Sequence, residues 1–145
     1  MATATVTEMT GAAAWILAQI GADATITAVS GYGGAFELIA PDGTSTPYVV
    51  IQCVSSQDQL TANGHRIYSD QVWLIKAIAP ATQYGALNTI AMQIDALFGD
   101  VRQAGDARVT VSAAVRKSEV NYAEVINRQI YKHLGGQYEL QVWLA

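Results

Sequence analysis

The dipeptide Asn63-Gly64 constrains the fold of this chain more than any other feature of its sequence. Both residues accept the positive φ angles of a tight turn, and this pair is the strongest short-range signal for a β-hairpin. It would join a strand that begins with Tyr48–Ser55 and ends near Thr61 to a second strand from Arg66 to about Ala79. The sequence therefore predicts two long antiparallel strands, which need a larger sheet or a helix to be stable.

Two other stretches carry apolar residues at helical spacing. The clearer one is Leu87–Phe98, and Gly99 after it occupies the place of a left-handed helix cap. The other spans residues 5–20, where Thr5 and Glu8 have the spacing of a capping box. The predicted apolar faces are Leu87, Ile90, Ala91, Ile94, Leu97 and Phe98 in the first, and Met9, Ala13, Ile16, Leu17 and Ile20 in the second.

Alternating apolar and polar residues near the end of the sequence predict two half-buried strands, over residues 107–116 and 137–144. Between them, Lys117–His133 has no clear periodicity, and its structure stays open. A short strand is predicted at Phe36–Ala40, before the turn Pro41-Asp42-Gly43. The apolar positions of the strand over residues 107–116 are Ala107, Val109, Val111, Ala113 and Val115.

The resulting order of elements is α-β-β-β-α-β-β. Strands that follow one another in groups favour an antiparallel arrangement, with the helices laid on one side. We therefore predict an α+β fold with a mostly antiparallel sheet and both helices packed on one face. No linker or internal repeat divides the sequence, so residues 1–145 are predicted to form a single domain.

The charge of the chain is low and unevenly placed. Hydrophobic residues make up 51% and charged residues 14%, below the usual quarter, which leaves apolar surface for neighbouring molecules. Residues 102–133 carry six bases and three acids, a net charge of +3, against -7 for the rest. This asymmetry suits docking between unlike faces of subunits, although a well-filled core and ordinary scatter explain the same figures. The net charge of -4 argues against general affinity for nucleic acid.

No arrangement of residues in the sequence predicts catalysis, a metal site or a cofactor. The glycine-rich residues 31–34 lack the Gly-Lys-Ser/Thr ending of a phosphate loop. With two histidines, His65 and His133, and one cysteine, Cys53, a zinc site has too few ligands unless carboxylates take part. Cys53 lies in an apolar strand, which disfavours a thiolate. We expect His65 to be solvated in a turn and His133 to contribute to a surface contact.

Aromatic residues exceed what a plain core needs. Trp143 falls on the polar face of its predicted strand, so it is either an exposed anchor of a subunit interface or is covered by Lys117–His133. Aromatic and polar residues mix within that segment without core periodicity. We predict that this segment and the Asn63-Gly64 hairpin contact neighbouring molecules. The residues assigned to the contact are Arg116, Lys117, Asn121, Tyr122, Glu124, Tyr131, Asn63 and Gly64.

Nothing in the sequence predicts export or membrane insertion. The first twenty residues lack a basic start and a continuous apolar stretch, so no signal peptide is expected. No apolar run approaches the length of a membrane span. Because a single cysteine cannot form an internal disulfide, we expect the chain to be made in a reducing cytoplasm.

Several local sequences form a recognisable series along nearly the whole chain. They begin with Ala14-Trp15-Ile16-Leu17 and end with the strand Tyr138–Trp143. The most specific part is Ala40-Pro41 followed, after a short loop, by Pro47-Tyr48-Val49-Val50. Together with the order of elements, they resemble the tail terminator, or tail completion, proteins of long-tailed bacteriophages and gene transfer agents. Residues 33–39 depart from the Gly-Asp-Arg-Ile sequence usual in that family, so the resemblance does not imply the structure of this loop.

The resemblance implies a structural virion protein with no enzymatic activity and no cofactor. Such subunits form a ring, expected to be a hexamer, that caps the tail tube, ends its polymerisation and joins it to the head-side connector or neck protein. The implied location is the tail-neck junction of a virion that assembles in the host cytoplasm, without a membrane partner. Genome DNA would pass through the ring without specific binding. We therefore predict a neutral or acidic inner wall, with Asp58 and Asp70 as candidate lumen residues.

Two other functions remain open. A neck or head-tail adaptor subunit would bind portal-side rings instead of polymerised tube protein. A small ligand-binding α+β domain would need a concave pocket with convergent polar groups or shifted pKa values.

Overall fold

A computed structural model describes residues 7–145 of the chain. Its helices are α1 (Glu8–Ala22), α2 (Ala24–Thr27) and α3 (Tyr84–Phe98), and a 3-10 turn at Ala81–Gln83 precedes α3. Its strands are β1 (Ala35–Glu37), β2 (Tyr48–Leu60), β3 (Arg66–Pro80), β4 (Asp100–Gly105), β5 (Val109–Ile126) and β6 (Gln129–Leu144). The sheet order is β1-β2-β3-β6-β5-β4, and only β1 and β2 run parallel. The α+β class and the predicted order of elements are confirmed, and the short elements α2 and β4 are additional.

Helix α1 begins with a capping box formed by Thr7 and Thr10, in which each side chain accepts from the backbone N–H of the other residue. Thr5 of the predicted box lies outside the described residues. Met9 was wrongly assigned to the buried face, since it is 45% exposed. The first turn instead buries Glu8, whose Oε1 lies 2.7 Å from Nε of Arg66. The buried apolar residues of α1 are Ala12, Ala13, Trp15, Ile16 and Ile20.

Helix α3 buries the predicted apolar face. Leu87, Ile90, Ile94 and Phe98 are fully buried, and the other two members of the predicted set are partly buried against the core. Gly99 does follow the helix, but it is not a left-handed cap, because its φ is −75°. A Cβ at this position would lie 2.5 Å from the carbonyl oxygen of Asp95, so glycine is needed for close approach. Strand β4 then begins at the next residue.

The two long hairpins differ in their turns. The predicted hairpin at Asn63-Gly64 is confirmed, but of these two residues only Gly64 has a positive φ, of 80°; its N–H donates to the carbonyl of Thr61 at 2.9 Å. The segment Lys117–His133, which the sequence left open, forms most of a second hairpin between β5 and β6. Its turn residues Asn127 and Arg128 have φ angles of 50° and 65°, as in a two-residue turn of type I′.

Strand β5 does not keep the predicted alternation. Val109 and Val111 are buried, as expected, but the next buried residue is Ala114, and Ala113 and Val115 are not buried. The reason is a β-bulge between Val111 and Ala113, which adds one residue and reverses the side on which later side chains lie. Ala107, also in the predicted set, is exposed and precedes the strand.

Helices α1 and α3 pack on the same face of the sheet, as predicted, and among residues 7–145 no helix lies on the opposite face. The core is the layer between these helices and the sheet, and the central strands β3 and β6 contribute alternate residues to it. These alternate residues are Trp73, Ile75, Ala77 and Ala79 in β3, and Leu134, Tyr138, Leu140 and Val142 in β6. Within residues 7–145, no helix is long and apolar enough to cross a membrane.

Candidate subunit interface

The β5–β6 hairpin extends from the end of the sheet at which β3 finishes. Strand β4 covers the outer side of β5 only as far as Val115. Beyond this point most residues of β5 are exposed, and the apolar residues Val125, Ile126 and Ile130 lie near the tip. Val125 is 71% exposed and pairs with Ile130 across the two strands. Exposed apolar side chains grouped in this way are typical of a surface that another molecule covers.

A row of side chains crosses the sheet at the base of this hairpin, on the face without helices. The register aligns Tyr48, Ile78, His133 and Tyr122 on four successive strands. Tyr122 stacks on His133, with ring centroids 4.3 Å apart and an angle of 14° between the planes. Nε2 of His133 lies 2.8 Å from Oε1 of Glu124. His133 therefore links two of the predicted contact residues, although it is itself buried and only 4% exposed.

Lys76 reaches this row from β3 because Gly135 lies between them. Lys76 and Val120 both align with Gly135, which has no side chain to fill the space on this face. Nζ of Lys76 donates to the hydroxyl of Tyr122 at 2.5 Å and lies 5.1 Å from the centroid of its ring. A Cβ at Gly135 would lie 2.1 Å from the carbonyl oxygen of Ile75, so the backbone itself excludes a side chain here.

Burial controls the protonation of the row. Burial lowers the pKa of His133 below its ordinary value of 6.5; the bond to Glu124 opposes this shift, and the charge of Lys76 reinforces it. Nδ1 of His133 is buried and has no hydrogen-bond partner within residues 7–145. Burial also raises the pKa of the Tyr48 phenol, and the nearby Tyr131 and Glu124 add to that shift. At neutral pH the imidazole of His133 is therefore neutral.

The predicted contact residues of the hairpin lie on both of its faces. The register places Tyr122, Glu124 and Tyr131 on the face without helices, and Asn121 on the side of α3. Their neighbour Lys117 is exposed at a second bulge, between Arg116 and Ser118. Both faces of the hairpin therefore present predicted contact residues to a neighbouring molecule.

Arg116 is engaged by side chains of its own chain. Its Nη1 lies 3.3 Å from Oδ1 of Asp95 in α3 and 3.2 Å from Oε1 of Glu119. These groups line a groove of about 340 Å³ between α3 and the hairpin, together with Leu134 and Tyr138. Lys117, by contrast, forms no ion pair among the residues that the structure describes. Lys117 is therefore the freer of the two predicted cations.

The remaining predicted residues lie at the opposite end of the sheet. Asn63 and Gly64 form the exposed tip of the β2–β3 hairpin. Asp58 accepts from the hydroxyl of Ser69 at 2.8 Å on the helix side of this hairpin. Asp70 is the neighbour of Ser69 in β3, so its side chain lies on the opposite face. The two candidate lumen residues therefore face opposite ways.

Trp143 also lies at this end, on the face without helices. It is half-buried, and its ring stacks on Tyr68 with centroids 4.7 Å apart. Its Nε1 donates to the hydroxyl of Ser112 at 3.1 Å. Trp143 is thus covered by Tyr68 of β3, and not by Lys117–His133, which is one of the two alternatives that the sequence left open.

The sequence did not indicate that three residues in or beside this row take part in it. They are Lys76, Tyr48 and Gly135. Two of them left a signal that could have been used. Lys76 is the one charged residue between Gln71 and Pro80 in an otherwise apolar stretch, and Gly135 interrupts a strand with two successive glycines. The contact between Lys76 and Tyr122 joins residues 46 positions apart, so only the sheet register reveals it.

Neither metal-binding nor thiol chemistry is apparent in the part of the chain that is described. Within residues 7–145 no group of three or more His, Cys, Asp and Glu side chains is placed to hold a metal ion. Cys53 is half-buried, and its Sγ donates to the carbonyl of Ser55 at 3.4 Å. Burial raises the pKa of this thiol, which disfavours the thiolate.

The fold is similar to that of one chain in a solved structure described as the virion of a native gene transfer agent particle. The TM-score is 0.66, the identity is 14%, and the match covers 90% of this chain and 92% of the other. At this level of identity the similarity shows a shared fold. No protein-family model matches the sequence, and no curated protein matches it.

Proposed function

We propose that this chain is a structural subunit of a phage-like particle, and that it forms a ring at the end of the tail tube. In this role it ends the polymerisation of the tube and joins it to the head-side connector. The role is structural and involves no catalysis. The observation that carries the proposal is the shared fold with a gene transfer agent virion component over nine-tenths of both chains.

The shape of the subunit supports the proposal. A ring forms when each copy presents two different patches that meet head to tail. Here two long hairpins extend from opposite ends of one sheet, and both carry exposed apolar residues. One hairpin also carries most of the basic segment of the chain, whereas the rest of the chain is acidic. Unlike ends of this kind suit a head-to-tail contact.

The direct test is the mass of the assembled protein and its effect on tube growth. We expect light scattering to give about six times the mass of one chain, either alone or with tail-tube protein from the same particle. Tube polymerisation followed by electron microscopy should stop when the protein is added. Binding to portal-side rings without any effect on the tube would instead indicate a neck adaptor. A monomer that binds neither tail-tube protein nor portal-side rings would contradict the proposal.

A further inference from the structure

Two strands of the sheet have long unpaired edges, one on each side of the molecule. The outer side of β5 is covered by β4 only over Thr110–Val115, which leaves residues 117–126 open. The outer side of β2 is covered by β1 only over Val49–Ile51, which leaves residues 52–60 open. Isolated proteins usually shorten or protect such edges, because an open edge is a template for pairing with another strand.

The outward backbone groups of β5 follow from its turn. In a two-residue hairpin the residues that flank the turn, here Ile126 and Gln129, form a hydrogen-bonded pair. Counting back from Ile126, every second residue of β5 forms backbone hydrogen bonds to β6. The residues between them point their N–H and C=O groups outward, away from β6. The outward residues are Glu119, Asn121, Ala123 and Val125. None of these backbone groups has a partner within residues 7–145.

The same reasoning applies to β2. The N–H of Thr61 donates inward to the carbonyl of His65 at 2.7 Å, so Leu60 and every second residue before it point outward. The irregularity near Leu60 adds its extra residue to β3 and leaves the alternation of β2 unchanged. The outward residues of the open stretch are therefore Leu60, Asp58 and Ser56.

We propose that the open edge of β5, residues 117–126, pairs antiparallel with the open edge of β2, residues 52–60, of a second copy of this chain. This inference rests on the proposed function, since it supplies the contact that would build the ring. The two open stretches are of nearly equal length. They also belong to strands of opposite direction, because three successive antiparallel pairings separate β2 from β5.

The geometry of the two edges is compatible with this pairing. The outward residues of β5 align with helix-side residues of β6. Those of β2 align with helix-side residues of β3: Ser56 and Asp58 with the buried Gln71 and Ser69, and Leu60 with Arg66, which pairs with Glu8 of α1. Joining the edges would therefore continue the sheet with the helices of all copies on one side. Strands β4 and β1 cover other parts of the two edges, so they flank the new pairing without blocking it.

The charges of the two hairpins favour the same partner. Residues 117–132 carry three bases and two acids, a net charge of +1. Residues 52–65 carry one acid, Asp58, and no lysine or arginine, a net charge of -1. Because the two edges differ, each copy can bind one neighbour on each side, and the chain of contacts closes into a ring or grows as a filament. The two open edges lie toward opposite ends of the sheet, so their pairing displaces each copy along the strand direction relative to its neighbour. A ring built in this way requires strands that are tilted to the ring axis, as in closed barrels.

Disulfide cross-linking tests the pairing directly. In a Cys53→Ala background, Ala123→Cys is combined in one chain with Ser56→Cys, Asp58→Cys or Leu60→Cys, which samples the possible registers. Mild oxidation of at least one double variant should give a ladder of covalent multimers that ends at the ring size. Each single-cysteine variant should stay monomeric on a denaturing gel. The matched control combines Ala123→Cys with Met92→Cys on the exposed side of α3 and should give no ladder.

A second pair of variants tests the backbone contact. Ala123→Pro removes an outward N–H that makes no bond to any described residue, 7–145, whereas the control Ala123→Val keeps it. We expect the proline variant alone to need about tenfold more protein for assembly, as the loss of one hydrogen bond implies. Circular dichroism should show the same folded state for both variants.

The outcomes separate this inference from the proposed function. Rings without a ladder, or rings of the proline variant at the wild-type concentration, would overturn the edge pairing and leave the ring itself standing. Dimers of Ala123→Cys alone would overturn it in favour of a symmetric contact between two β5 edges. A chain that remains monomeric in the presence of tube protein would contradict both proposals.

Discussion

Tyr122 and His133 lie face to face across β5 and β6, with ring centroids 4.3 Å apart. The stack covers the imidazole from solvent, and Glu124 binds its Nε2 at 2.8 Å. Nζ of Lys76 donates to the hydroxyl of Tyr122, the other ring of the stack. The base of the projecting hairpin is thus fixed to the central strand β3 by one connected set of side chains.

The buried imidazole predicts a pH dependence of stability. Because burial lowers the pKa of His133 below 6.5, the unfolded chain takes up this proton first as the pH falls. The contribution of His133 to stability is therefore complete above pH 6.5 and is lost progressively at lower pH. We expect His133→Gln to reduce the fall in melting temperature between pH 7.5 and about pH 5.5. His65→Gln, in the exposed turn, is the control and should leave the fall unchanged. An unchanged slope in His133→Gln would contradict the assignment.

Gly135 should tolerate no side chain. Gly135→Ala places a Cβ 2.1 Å from the carbonyl of Ile75, and the strand must shift to accommodate it. We expect a loss of about 1–3 kcal/mol in the free energy of unfolding, measured with urea. Gly21→Ala, in a helix with no atom within 4 Å of the added Cβ, should instead stabilise the chain by about 0.5–1 kcal/mol. Equal effects of the two substitutions would show that the crowding at Gly135 is relieved without cost.

Ile94 should be among the residues on which the fold depends most. It is fully buried on the face of α3 that packs on the sheet. Ile94→Ala should lower the free energy of unfolding by about 2–5 kcal/mol, through lost burial and the cavity left behind. Met92→Ala on the same helix, where the side chain is 66% exposed, should change it by less than about 0.5 kcal/mol. A small effect at Ile94 would mean that α3 contributes little to the core.

Lys117 should affect assembly without affecting the folded monomer. Lys117→Glu reverses an exposed charge that has no partner within residues 7–145, so the melting temperature of the monomer should stay the same while assembly weakens. Arg116→Glu should weaken assembly and also lower the melting temperature of the monomer, because it places a carboxylate against Asp95 and Glu119. Sedimentation and thermal melting separate the two effects. Normal assembly of Lys117→Glu would remove this residue from the interface.

The inner wall of the assembled ring should be neutral or acidic. In the proposed ring, basic groups on this wall would bind the phosphates of DNA that passes through it and would slow that DNA. Because Asp58 and Asp70 face opposite sides of their hairpin, we expect at most one of them to line the wall. The surface potential of a ring solved by electron microscopy checks this prediction. A wall lined by Arg108, Arg116 and Lys117 would mean that the basic segment faces inward.

Local patterns in the sequence predicted those parts of the fold in which side-chain periodicity is regular. The stripe on α3, the hairpin at Asn63-Gly64 and the alternation of residues 137–144 are of this kind. Strand β4 was missed because it is short and largely exposed, and it carries no apolar alternation. The bulges of β5 each add one residue, which no periodicity signals. The turn Asn127-Arg128 was missed because it lacks glycine.

The candidate interface was predictable only in part. The mixture of aromatic and polar residues in Lys117–His133 predicted contacts with neighbouring molecules, and this stays a prediction; the structure shows that most of the segment is exposed. Which of its side chains meet depends on the register of three strands, and that register is set by long-range packing. His133 shows the limit most clearly: the sequence suggested a surface residue, and the structure buries it under Tyr122.

The core lies between the helices and the middle of the sheet, and the exposed ends of the two hairpins contribute almost nothing to it. Substitutions in those ends therefore meet few packing constraints, whereas substitutions in the core meet many. A lineage with this architecture could exchange the sequences of its hairpins, and so change what it docks onto, while the layer beneath keeps every variant folded. The proposed contact surfaces and the core that keeps the chain folded lie in separate parts of one sheet, so the contact surfaces can change without loss of the fold.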